Sequence, residues 1–149
     1  MFPPIAELLP HRERMLLVDR VVSFEGEQVV AELTVRDDPL FCHDGVVGSW
    51  LGLEYMAQTV GAMIGLMSRA RNEPVRIGLL LGARRFLARE PAFRPGQTLR
   101  VEATQVFIAD NGLAAFDARI LDQDRVLAEA TLSAFQPEDV QAFLREVGA

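Results

Sequence analysis

The chain has 149 residues, 50% of them hydrophobic and 24% charged, enough for one domain with a real core and too few for two comfortable ones. A net charge of −6 argues against nucleic acid as the main partner, and the 15 basic residues are all arginine, which excludes a lysine Schiff base or a lysine-dependent phosphate loop. Cys42 is the single cysteine, so neither an intrachain disulfide nor a cysteine-built metal site is expected; the opening MFPPIAELLPHRER lacks a signal-peptide pattern, and the cytoplasm is the expected location.

Pro3, Pro4 and Pro10 bracket Ile5 to Leu9, which predicts a short helical turn. Met15 to Phe24 reads as a strand and Glu27 to Val35 as a second, joined in a hairpin through Glu25-Gly26. Asp37, Asp38 and Pro39 break the pattern, and Phe41 to Ser49 reads as a loop. From Gly45 to Ser68 the one charged residue is Glu54, a run long enough to consider as a membrane span. Its five glycines, Glu54, Gln58 and the strand-like sequence on both sides favour instead a helix buried on several sides inside the protein, with no membrane partner. Ser49 is its expected N-cap, and Arg69 and Arg71 complement the dipole at its end.

After Asn72-Glu73-Pro74 come four strand-like runs: Arg76 to Ala88, Gln97 to Ile108, Leu113 to Leu121 and Arg125 to Phe135. The tight turns between them predict an antiparallel meander. Pro137 to Val147 closes the chain as an amphipathic helix with Val140, Phe143, Leu144 and Val147 on one face. Two strands, a long buried helix and four strands describe an α+β domain in which a curved antiparallel sheet surrounds one helix.

Three strings carry a family resemblance. LLPHRERMLLVDRVVSF (Leu8 to Phe24), LEYMAQTVGA (Leu53 to Ala62) and ARRFLAREPAFRPGQTLRVEA together resemble the hot-dog-fold 3-hydroxyacyl-acyl-carrier-protein dehydratases of fatty-acid synthesis. The resemblance implies a single hot-dog domain over residues 1–149, acting on an acyl carrier protein that bears a 3-hydroxyacyl thioester. The phosphopantetheine arm would arrive with that substrate, with no metal and no other cofactor. The segment Phe41 to Ser49 departs from the family's His-Phe-Pro-Gly loop and places His43 only eleven positions before Glu54, which resembles the divergent dehydratases of aryl-polyene pathways.

Removing water from a 3-hydroxyacyl thioester needs a base for the proton beside the carbonyl, an acid for the departing hydroxyl, and donors for the charge on the thioester oxygen. The resemblance assigns the first role to His43, the second to Glu54, and the third to amides near Gly48 and Ser49, with histidine and acid supplied by different subunits of a homodimer. Read from the residues alone, His43 better suits a loop histidine bonded to backbone, and Glu54 also suits a carboxylate tied to Arg12 or His11. With Ser49 as cap, Glu54 falls beyond the first turn, where burial is expected to hold its proton. Gln58 follows on the same face, and Trp50, Glu54, Gln58, Gly61 and Gly65 form a stripe expected to wall an acyl tunnel; close packing at the two glycines is the alternative. Arg84, Arg85, Arg89 and Arg94 form a local basic cluster that suits an acidic carrier protein or simply a solvated strand face. A hot-dog thioesterase and a non-catalytic acyl-binding subunit are the competing functions.

Overall fold

A computed structural model describes residues 2–11, 13–72 and 79–135, for 79–81 the backbone alone. Arg12 and the stretch from Pro137 to Val147 lie outside the described residues. Nine strands and one long helix are described: β1 (Arg20–Glu25), β2 (Gln28–Thr34), β3 (Cys42–His43), β4 (Val46–Gly48), α1 (Gly52–Ala70), β5 (Leu79–Ala88), β6 (Ala92–Phe93), β7 (Thr98–Ile108), β8 (Leu113–Asp122) and β9 (Arg125–Phe135).

The β1–β2 hairpin turns through Gly26 and Glu27, and Gly26 takes a φ of 59°, the left-handed first corner that a two-residue loop needs. β1 begins later than its sequence pattern suggests. Glu13–Met15 is a 3₁₀ turn, and the residues after it give their backbone groups to side chains instead of a ladder: Leu17 and Val18 donate to Gln58, and Arg36 donates to the Leu16 carbonyl. Arg14 ties the same stretch to Asp38, whose carboxyl that hydrogen bond holds down to about 2.

Six strands form one antiparallel sheet in the order β1-β2-β7-β8-β9-β5. This corrects the simple four-strand meander: β7, β8 and β9 run as expected, but β5 pairs with β9 at the far edge. The reason is occupancy, since β2 already covers the other side of β7 from Thr98 to Thr104. Inward residues alternate with outward ones, as in Val29, Ala31 and Leu33 on β2 and Leu99, Val101 and Ala103 on β7. A row of alanines in register, Ala103, Ala118 and Ala130, keeps the sheet floor shallow where three strands meet. Bulges in β5 and β7 help the sheet bend.

The helix meets strands β1, β2, β5, β7, β8 and β9, and it buries Tyr55, Met56, Gln58, Val60, Ala62 and Met63 among others. That is the helix-wrapped-by-sheet architecture expected from the order of elements. No helix among the described residues is long and apolar enough to cross a membrane. A second, three-stranded sheet, β3-β4-β6, occupies what reads in the sequence as loop. Asp44 (φ 54°) and Gly45 (φ 78°) form its turn, the paired left-handed corners for which Asp-Gly is suited.

Candidate active site

The helix entrance sets the position of the acid. β4 runs directly into a 3₁₀ turn at Ser49–Leu51, and the α-helix proper starts at Gly52. No side-chain hydrogen bond caps either start, so Ser49 is not an N-cap. Its N–H instead donates to the Pro91 carbonyl at 3.0 Å, extending the β4–β6 pairing and removing that amide from the donors open to a substrate oxygen. Glu54 consequently sits in the first α-helical turn, where the dipole favours an anion, and not beyond it. Its side chain is 35% exposed, so the expected deep burial is also corrected.

Gln58, one turn on, is fully buried and makes four hydrogen bonds. Its Oε1 accepts from the N–H groups of Leu17 (2.9 Å) and Val18 (3.2 Å); its Nε2 donates to the Met15 carbonyl (2.7 Å) and to Glu54 Oε1 (3.0 Å). The imidazole beside Glu54 belongs to His11, with Nε2 at 3.4 Å from the same Oε1. The residues alone left Arg12 and His11 as alternative partners for Glu54, and the contact 43 positions away in sequence is made by His11.

Glu54 and His11 lie at a cavity of about 160 Å³ whose other walls are Leu8, Leu9, Pro10, Ala57, Val60, Gly61, Ile64, Leu132 and Ala134. Apart from the two titratable groups the lining is apolar, suited to an alkyl or aryl chain. Of the expected stripe, Glu54 and Gly61 line this cavity while Trp50, Gln58 and Gly65 do not. Trp50 is 61% exposed with its ring over Gly48, where a Cβ would meet Trp50 Nε1 at 2.2 Å. Gly65 abuts the backbone of Leu8, whose oxygen an added Cβ would meet at 2.5 Å. The glycine thus serves close packing against residues 8–11, not a tunnel.

His43 is exposed on β3 opposite Val46, and no described contact joins it to Glu54. Gly48 lies on β4 opposite Ala92. Arg84, Arg85, Arg89 and Arg94 are all exposed; Arg89 is paired with Glu129 at 3.3 Å, and Arg85 (φ 56°) sits within a bulge of β5. Cys42 is half-buried. Among the described residues no group of three or more His, Cys, Asp or Glu side chains is gathered as a metal site.

Relatives give this geometry a context. The chain is similar to the 3-hydroxyacyl-[acyl-carrier-protein] dehydratase FabZ of Chlamydia pneumoniae, with 34% identity over 137 residues and 87% of each chain covered. FabZ of Chlamydia caviae is 35% identical over 137 residues, covering 87% of this chain and 86% of the relative. In structure it resembles a chain of the dehydratase heterocomplex ApeI:P from Xenorhabdus doucetiae, with a TM-score of 0.91, 27% identity and both chains covered in full. A hypothetical thioesterase protein with coenzyme A from Streptococcus pneumoniae shares the fold alone, at a TM-score of 0.61 and 15% identity over 78% of this chain and 84% of the other. The ApeP-like model, described as ApeP dehydratase, matches residues 3–145, and on that near-complete match the chain belongs to the ApeP-like dehydratase family.

Proposed function

We propose that the protein removes water from a 3-hydroxyacyl thioester on an acyl carrier protein, giving the trans-2-enoyl thioester. The observation that carries this reading is a carboxyl group at the end of an apolar cavity, in a chain whose relatives are dehydratases. A base takes the proton from C2, the C2–C3 double bond forms, the C3–O bond breaks, and Glu54 delivers a proton so that the hydroxyl leaves as water. The amide of Gly48 is the candidate donor to the thioester oxygen. Proton transfer and elimination of this kind need no redox or metal cofactor, and the pantetheine arm belongs to the substrate.

The base is His43 of a neighbouring subunit. Three features support an assembly that brings it in: β5 is an edge strand of the sheet among the described residues, Trp50 is exposed beside the helix entrance, and His43 itself is exposed. A homodimer is the simplest such assembly. A second reading, favoured by the ApeI:P heterocomplex, is that a different hot-dog chain supplies the neighbouring surface. The arginines at 84, 85, 89 and 94 are then the docking surface for the acidic carrier protein. The short segment between His43 and Glu54 supports a place in an aryl-polyene pathway, and the expected location is the cytoplasm.

The test is an assay of purified protein with 3-hydroxyacyl carrier-protein substrates of several lengths, recording enoyl absorbance and free thiol together. Enoyl product without thiol release is expected. Thiol release without enoyl product would replace the dehydratase with a thioesterase, and turnover appearing only after a second hot-dog chain is added would establish the heteromeric reading.

A further inference from the structure

We propose that His11 is a positioning residue for Glu54: with Gln58 it pins one carboxyl oxygen, Oε1, and leaves Oε2 as the atom that delivers the proton. The inference rests on the dehydratase reading and assigns a division of labour within its acid. Gln58 comes first. Its Oε1 receives two backbone N–H groups, those of Leu17 and Val18, and turning the amide over would set its own N–H donors against them. The amide therefore has one usable orientation, and in it Nε2 faces both the Met15 carbonyl and Glu54 Oε1.

Glu54 Oε1 thus accepts a fixed N–H at 3.0 Å, and His11 Nε2 lies at an ion-pair distance of 3.4 Å from the same oxygen. An oxygen that already accepts a fixed N–H and has a ring nitrogen at ion-pair distance is a poor place for a proton, because the O–H would point at the amide donor. The acidic proton belongs on Oε2. Among the described residues Oε2 makes no hydrogen bond, and Glu54 borders the apolar cavity, where the leaving hydroxyl would sit. Apart from His11 and Glu54, the described lining carries no charge that would compete for that proton.

The two glycines of the helix face gain a purpose in this arrangement. Gly65 lets the backbone of Leu8 approach, and Gly61 admits the tip of Leu9, whose Cδ2 an added Cβ would meet at 2.7 Å. Both contacts lay residues 8–11 along α1, and that brings the His11 imidazole to the first helical turn.

The experiment compares His11→Ala and His11→Gln with wild type, by steady-state dehydration and by the ¹⁵N resonance of His11 Nε2. His11→Ala is expected to lower kcat about 10²-fold with KM nearly unchanged, the scale of a misplaced catalytic group. His11→Gln, which retains a side-chain N–H donor, should recover a large part of that loss. Independently of turnover, Glu54→Gln should move the His11 Nε2 resonance, whereas His43→Ala should not. An unaltered kcat in His11→Ala, equal losses in both His11 variants, or an Nε2 resonance indifferent to Glu54→Gln would each overturn the assignment. A wild-type protein with no dehydratase turnover, alone or with a second hot-dog chain added, would instead remove the functional reading, while the resonance would still decide whether the pair exists.

Discussion

One turn of α1 separates two polar side chains with opposite fates. Gln58 is fully buried, and both ends of its amide are engaged, three times by the backbone of residues 15–18. Glu54 keeps a third of its side chain open and borders an apolar cavity, with its described partners gathered on Oε1. The difference teaches how one helix face can be structural at one position and reactive at the next. A buried polar group whose hydrogen-bonding capacity is filled holds two segments together; one whose capacity is half filled retains an atom for chemistry.

Breaking the reactive half should have the largest effect. Glu54→Gln keeps the shape and removes the transferable proton, so dehydration is expected to fall by about 10²–10⁴-fold with little change in melting temperature. Breaking the structural half should do the reverse. Gln58→Leu leaves the Leu17 and Val18 N–H groups and the Met15 carbonyl without their partner, and each such group costs about 1–3 kcal/mol. A stability loss of about 3 kcal/mol in urea titration is expected, with activity lost as a consequence.

The glycines sharpen the contrast at smaller scale. Gly65→Ala drives a methyl into the Leu8 backbone, which cannot rotate away, and about 1–3 kcal/mol of destabilisation should appear in thermal unfolding. Gly61→Ala meets only the end of a leucine side chain, so its cost should stay under about 1 kcal/mol, with a shift in acyl-length preference as the cavity narrows.

The mildest test concerns a neighbouring side of the helix. Tyr55, the single tyrosine, is packed against Phe93 at 5.6 Å between ring centroids, and burial pushes its phenol up to about 12. A raised value favours the folded state below the unfolded phenol's value of about 10, and that contribution is lost as pH climbs toward the folded one. Phenolate absorbance should therefore rise near pH 12 in native protein and near 10 in denaturant, and Tyr55→Phe should flatten the alkaline loss of stability. Nothing should change at neutral pH.

Much of the architecture was legible in the residues because its signals are local. Alternating apolar positions on β2 and β7, turn residues between β7, β8 and β9, and a long run with Glu54 as its single charge all announce their elements within a few neighbours. The Cys42-His43-Asp44-Gly45-Val46-Val47 string carried a hairpin signal as well, in Asp-Gly, but strands of two and three residues have too little pattern to outweigh a loop reading. Ser49 misled because a good capping residue type says nothing about whether the preceding strand has already claimed its N–H.

By itself the sequence determined the fold class, the helix bearing Glu54 and Gln58, and the family, since each depends on periodicity or on contiguous strings. Only the tertiary structure decided that β5 lies beside β9, that Gly65 meets Leu8, and that His11 is the imidazole next to Glu54. Those outcomes depend on which strand edges are still open and on how closely two distant segments approach, quantities set by packing in three dimensions and carried by no short stretch of residues.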